Sequence, residues 1–135
     1  MSQENVELIQ RVYEAFNRED AAALAKLSDE DLEFVSVFAE VDTAGATHQG
    51  QELWASYFAR IHETWDEWRA EDLRVFDAGD DHVAAVFRLV GKGKSSGIPV
   101  DREIGLAYTL RRGKLWRMRV YLNPAEALEA VGLSE

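Results

Sequence analysis

The sequence predicts an α+β fold in a single domain spanning residues 1–135, and three observations lead there. The first half carries apolar residues at helical spacing, the second half carries runs with the period of strands, and turn residues separate those runs at hairpin distances. Helices first and a meander of strands afterwards is the order of an α+β domain rather than a doubly wound sheet.

Val6, Ile9, Tyr13 and Phe16 fall on one helical face, widened by Leu8 and Val12, and Asn17-Arg18-Glu19-Asp20 ends the run. Ser2 suits the start of this helix, and Asp20 can cap a short alanine-rich helix over residues 21–27. An acidic turn at 28–31 leads to a strand over 32–38, and the small and polar residues 39–50 read as a loop. Trp54, Phe58, Ile61 and Trp65 then form the stripe of a third helix over residues 51–65. Strands are predicted over 68–76, 83–90, 100–110 and 115–122, with Asp77-Ala78-Gly79-Asp80-Asp81 and Arg111-Arg112-Gly113-Lys114 as hairpin turns. Asn123-Pro124-Ala125-Glu126 is a helix start, with Asn as cap and Pro at the first helical position, and Gly132 closes that helix after residue 131.

Composition narrows the functions. A chain of 135 residues with 47% hydrophobic residues can bury a core without staples, and the lack of cysteine removes disulfides and thiolate chemistry. The first residues are acidic and lack the basic-then-apolar order of a signal peptide, so a cytoplasmic protein is expected. A formal charge of −10 repels phosphate backbones and anionic membrane surfaces, so neither nucleic acid nor membrane is an expected partner.

Three segments carry a resemblance. Val12-Tyr13-Glu14-Ala15-Phe16-Asn17-Arg18-Glu19-Asp20 is similar to the first helix and helix-ending turn of SnoaL-like proteins in the NTF2-like superfamily. Gly50 before an aromatic-rich helix resembles their third helix, and Gly113-Lys114-Leu115-Trp116-Arg117-Met118-Arg119-Val120-Tyr121 resembles their final strand. The resemblance covers nearly the whole chain. It implies a cone of curved, mainly antiparallel sheet with N-terminal helices over its concave face, a pocket between them, and a homodimer through the outer sheet face. Members include ketosteroid isomerases, polyketide cyclases, epoxide hydrolases, dehydratases and proteins without catalysis, so the fold does not fix an activity.

It also implies where proton-moving groups should stand. Ketosteroid isomerases need a carboxylate base in the first strand and a Tyr with a protonated Asp on the oxyanion. The matching positions here are Val35 or Ser36, Val12 and Leu106. SnoaL-type cyclases carry a carboxylate base in the last strand, which falls on Val120, or on Arg119 if the register slips. In limonene-epoxide-hydrolase-like enzymes an arginine bridges two carboxylates; Arg88 matches the arginine, while Val90 and Val120 take the carboxylate positions. Valine cannot move a proton.

The period-two reading agrees. Trp116, Met118, Val120 and Leu122 form an apolar row expected to face the pocket, with Arg117, Arg119 and Tyr121 on the other face. Tyr13, Phe16, Trp54, Phe58, Trp65, Arg88, Tyr108, Trp116, Met118 and Val120 are therefore the candidate ligand-binding residues. Tyr13 and Tyr108 offer hydroxyl handles, the alternative being a buried tyrosine bonded to backbone. Arg88 interrupts an apolar strand and needs an acidic partner, Asp72 or Glu103, unless it orients a ligand. Apolar residues on both parities of 83–90 suggest a strand covered on both faces, in keeping with the dimer.

Two motifs fail on inspection. His62-Glu63-Thr64-Trp65-Asp66 lacks the second histidine of a zinc helix, so His62 reads as a solvated side chain and no metal is expected. Gly91-Lys92-Gly93-Lys94-Ser95-Ser96-Gly97 has Arg88 where a phosphate loop needs glycine and resumes a strand where it needs a helix. No cofactor is expected. The expected function is a SnoaL-like protein binding a small, largely hydrophobic molecule in an enclosed pocket, without the family's carboxylate base. The alternative is a cyclase, isomerase, dehydratase or epoxide-hydrolase-like enzyme. It would use His48 or Tyr13 as acid or base and Arg88 at an enolate-like oxyanion. The residues alone leave both open.

Overall fold

The computed structural model describes residues 3–35, 48–49 and 53–133. In chain order these form α1 (Gln3–Arg18), α2 (Ala21–Lys26), β1 (Ser28–Val35), β2 (His48–Gln49), α3 (Leu53–Thr64), β3 (Trp65–Gly79), β4 (His82–Gly93), β5 (Pro99–Arg111), β6 (Lys114–Tyr121) and α4 (Pro124–Ala130). The strands make one sheet in the order β2-β1-β6-β5-β4-β3, antiparallel except for the β1–β6 pair.

Helix α1 buries Leu8, Ile9, Val12 and Ala15. It stops where Glu19 turns to φ 56° and the Asp20 N–H reaches back to the Ala15 carbonyl at 2.9 Å. The Asp20 carboxylate then accepts from the Ala23 N–H and starts α2. Strand β1 begins four residues before the expected one, inside the segment read as an acidic turn. Ser28 and Asp29 are buried there because each has a distant partner: Ser28 Oγ, which donates to the Leu24 carbonyl, accepts from the Trp54 indole, and Arg111 takes both Asp29 carboxylate oxygens. The expected loop also changes, since His48 and Gln49 pair with β1 as the edge strand β2. Ser2, Ser36 and Gly50 lie outside the described residues, as do 39–47 of that loop.

Both expected hairpins form. Asp80 and Asp81 between Gly79 and His82, and Arg112 and Gly113 between Arg111 and Lys114, all have positive φ. Paired positive φ values give the mirror-image turn whose twist matches the flanking strands. The glycine-rich segment 93–97 is a hairpin connection too, closed by the Gly97 N–H on the Gly93 carbonyl at 2.9 Å.

Helices α1 and α3 lie over one face of the sheet and enclose the core. The other face of β4 and β5 is covered by α4, where Gly105 lets Pro124 and Ala127 come close to the strand. Ala84 and Val86 are buried on that side, so the protein's own last helix accounts for apolar residues on both parities of β4. The pattern needs no second subunit.

Candidate functional site

Between the helices and the concave sheet face lies a cavity of about 50 Å³, measured as the space open to the centre of a water molecule. That is room for roughly three to five water-sized centres. Val12, Tyr13 and Phe16 line it from α1, Phe34 from β1, and Trp54 and Tyr57 from α3. The sheet contributes Trp68, Ala70 and Leu73 from β3, Phe87 and Leu89 from β4, Ile104, Leu106 and Tyr108 from β5, and Met118 and Val120 from β6. No carboxylate, imidazole, amine or guanidinium lines it among the described residues.

Two β-bulges decide which residues reach this wall. In β3, Glu71 pairs with Arg88 but Arg74 pairs with Val86, so β3 holds one extra residue. Asp72 takes φ 60° there, and Ala70 and Leu73 both face inward although strict alternation would part them. In β6, Leu110 pairs with Leu115 while Thr109 pairs with Arg117, leaving Trp116 as the extra residue. Leu115 and Met118 both turn inward and Trp116 goes outside, its ring between the guanidiniums of Arg111 at 4.4 Å and Arg117 at 4.2 Å. The expected inward row is thus corrected at both ends: Met118 and Val120 face the cavity, Trp116 is displaced by the bulge, and Leu122 is 40% exposed.

The wall is held by polar bonds at its margins. Edge strand β3 has no strand on its outer side among the described residues, and the Asn17 side chain stands in for one. Its Oδ1 accepts from the Ala70 N–H and its Nδ2 donates to the Ala70 carbonyl, both at 2.9 Å. The Tyr13 hydroxyl donates to the same carbonyl, also at 2.9 Å. On the far side the Trp54 indole N–H donates to Ser28 Oγ at 2.9 Å, tying α3 to the start of β1. Gly91 matters behind Trp68, since a Cβ there would lie 2.9 Å from the Glu67 carbonyl oxygen and 3.1 Å from the Trp68 ring.

The structure therefore brings Tyr13, Phe16, Trp54, Tyr108, Met118 and Val120 together around one space. Phe58 stands behind that wall, its ring 5.6 Å from Phe16. Trp65 lies outside the wall, its ring tilted against Trp68 with centroids 4.8 Å apart. Val12, Phe34, Tyr57, Trp68, Ala70, Leu73, Phe87, Leu89, Ile104 and Leu106 were not among the sequence candidates for ligand binding. Strand parity signals Phe87 with Leu89 and Ile104 with Leu106, whereas Leu73 depends on a bulge.

Arg88 is elsewhere. Its neighbours Phe87 and Leu89 point inward, and it projects from the opposite face to Glu71, Asp72 and Asp101 at 3.1, 2.9 and 2.8 Å. Of its two expected partners Asp72 is found, while Glu103 pairs with Arg74. Val90 shares Arg88's strand parity and is not part of the cavity wall. His62 is exposed and bonded to Glu19. The His48 side chain lies outside the described residues.

Chemistry by the two candidate phenols is constrained. Burial, partly offset by the Asn17 amide, raises the Tyr13 pKa above its ordinary 10. Burial alone pushes that of Tyr108 well above the same value. Neither is poised to accept a proton near neutral pH. Tyr13, Arg88 and the cavity do not converge on one reacting atom.

The fold has many relatives. An NTF2-like protein of unknown function from Burkholderia pseudomallei superposes with a TM-score of 0.79 at 14% identity, covering 96% of this chain and 98% of that one. TerC, crystallised with polyporic acid, gives 0.78 at 20% identity over 96% and 98%. A Catenulispora acidiphila protein with a ketosteroid isomerase-like fold, in complex with trimethylamine, gives 0.72 at 20% over 94% and 93%. No curated protein matches in sequence. Residues 9–118 match the family described as the SnoaL-like domain, and with the helix-roofed sheet and its central cavity in view, the chain belongs to that family.

Proposed function

We propose that this protein binds a small, uncharged, largely hydrophobic molecule in the cavity beneath α1 and α3, with no carboxylate base of its own. The observation that carries this reading is the wall: among the described residues it is built of aromatic and aliphatic side chains, with Val120 where cyclase and epoxide-hydrolase relatives are expected to hold an acid. An ion entering such a space would lose its water without gaining a counter-charge, whereas an apolar body gains by leaving water. Relatives crystallised with polyporic acid and with trimethylamine support small-molecule binding as a use of this fold. The size of the space calls for a compact ligand, or for aromatic side chains that move apart to admit a ring.

The test is a titration of methyl-labelled protein with p-xylene, read at the Met118 and Val120 methyl resonances. Saturable shifts are expected. Val120→Leu, which fills part of the space, should weaken the probe, and Arg88→Ala, on the opposite face, should leave its affinity within about twofold. An absence of shifts up to the solubility of p-xylene, or shifts that Val120→Leu leaves untouched, would refute the reading. The same proposal takes residues 1–135 as one domain working in the cytoplasm. It takes the active form as a homodimer through the outer sheet surface that α4 leaves open, and sedimentation at the monomer mass would remove that dimer.

A further inference from the structure

Within that binding reading, we infer that the Tyr108 hydroxyl selects the ligand: the cavity favours an apolar body carrying one hydroxyl or carbonyl oxygen. The polar atoms of the wall divide unevenly. The Tyr13 hydroxyl is committed to the Ala70 carbonyl and the Trp54 N–H to Ser28. Tyr108 is 4% exposed, lines the cavity, and makes no hydrogen bond to any described residue. Its strand neighbours Val83 and Met118 are apolar, and neither offers a strong acceptor or donor.

A buried hydroxyl is costly while unpaired, so an incoming oxygen that meets it gains more than the same oxygen would gain at a wet surface. A phenol is both donor and acceptor, which suits a ligand alcohol, phenol or carbonyl equally. It offers no charge, and Arg88, the nearest cation along β4 to the wall residues Phe87 and Leu89, points to the opposite face. Carboxylates and ammonium ions are rejected by the same wall. A site built to bond a ligand oxygen also discriminates against the analogue lacking it, because its own polar group is then left unpaired.

The experiment compares two ring compounds of nearly the same shape, p-cresol and p-xylene, which differ by hydroxyl against methyl. Both are titrated against wild type and Tyr108→Phe, reading the Met118 methyl. Tyr108→Phe should weaken p-cresol about five- to tenfold and leave p-xylene within about twofold. The unliganded variant should melt no lower than wild type, which shows that the fold is intact. If Tyr108→Phe changes both probes alike, or neither, the selection role is wrong while the apolar cavity stands. If neither probe shifts Met118 in wild type, the binding reading itself falls and takes this inference with it.

Discussion

Asn17→Ala is the substitution that best separates a packed surface from a built wall. Ala70 is 3% exposed and sits on the open edge of β3, so its N–H and carbonyl have neither a strand among the described residues nor free water to turn to. The amide of Asn17 serves both, at 2.9 Å each, and Tyr13 serves the carbonyl a second time. Removing Asn17 leaves the N–H without a partner, which costs about 1–3 kcal/mol, while the carbonyl keeps Tyr13. Tyr13→Phe alone leaves that carbonyl with Asn17 and should cost about 0.5–1 kcal/mol. The double variant orphans both groups, so its loss should exceed the sum of the singles by roughly 1 kcal/mol, a coupling of the kind double-mutant cycles detect. For a chain of this size that corresponds to about 3–5 °C in melting temperature per kcal/mol. Urea denaturation of the four proteins gives the cycle, and hydrogen exchange at Ala70 gives a local readout: slow in wild type, fast in Asn17→Ala. Additive losses, or an Asn17→Ala protein within about 0.5 kcal/mol of wild type, would show that this edge is satisfied in some other way.

Gly105→Ala should destabilise by about 1–3 kcal/mol, since its Cβ would stand 2.7 Å from the Ala127 Cβ and 3.0 Å from Pro124 Cα. A Gly105→Ala protein as stable as wild type would mean that α4 does not rest on β5. The acid limb of stability belongs in part to Asp29, which the Arg111 guanidinium and the Asp31 N–H hold at a pKa of about 2, below the ordinary 3.8. Because the folded value is the lower one, this stabilisation is present above 3.8 and is lost as the pH falls towards 2. Asp29→Asn should therefore flatten the fall of the urea midpoint across that window, and an unchanged slope would rule the pair out as its cause.

Much of the fold was legible because its signals are local. Hairpin turns declare themselves in Gly79-Asp80-Asp81 and Arg112-Gly113, and α4 in Asn123-Pro124, because backbone angles at those places favour few residue types. The start of β1 was not legible. Four residues containing three carboxylates and a serine read as a turn until Arg111, some eighty residues away, neutralises Asp29 and bonds Asp31. Trp54 likewise gives Ser28 a partner that only the tertiary fold supplies. Polar residues in a buried strand are predictable only when their partners are, and those partners lie on other elements. The apolar face of α1 needed no such help, since its burial depends on periodicity alone.

The site was legible up to its bulges and no further. Alternation assigns Met118 and Val120 to the same face as Trp116, and the assignment holds for two of the three; one extra residue in β6 sends the indole outside, between two arginines. The extra residue in β3 acts in the opposite sense, recruiting Leu73 to a wall that alternation would deny it. A bulge leaves little trace in composition, because its cause is the pairing of two strands and not the propensity of one. The consequence reaches function. Were β6 regular through Trp116, its indole would face inward with Met118 and Val120, and Arg117 would lie outside without a ring to stack on. As built, the bulky indole is spent on the outer surface, where cation–π contact with Arg111 and Arg117 holds it, and the space behind Met118 is left unfilled. The arginine-bracketed tryptophan is the outer side of that register shift, so deleting residue 116 should abolish the cation–π contacts while Leu115, Met118 and Val120 keep their pairing and the cavity stays open to p-xylene. Loss of the Met118 shift in the deletion variant would show that the bulge itself shapes the wall.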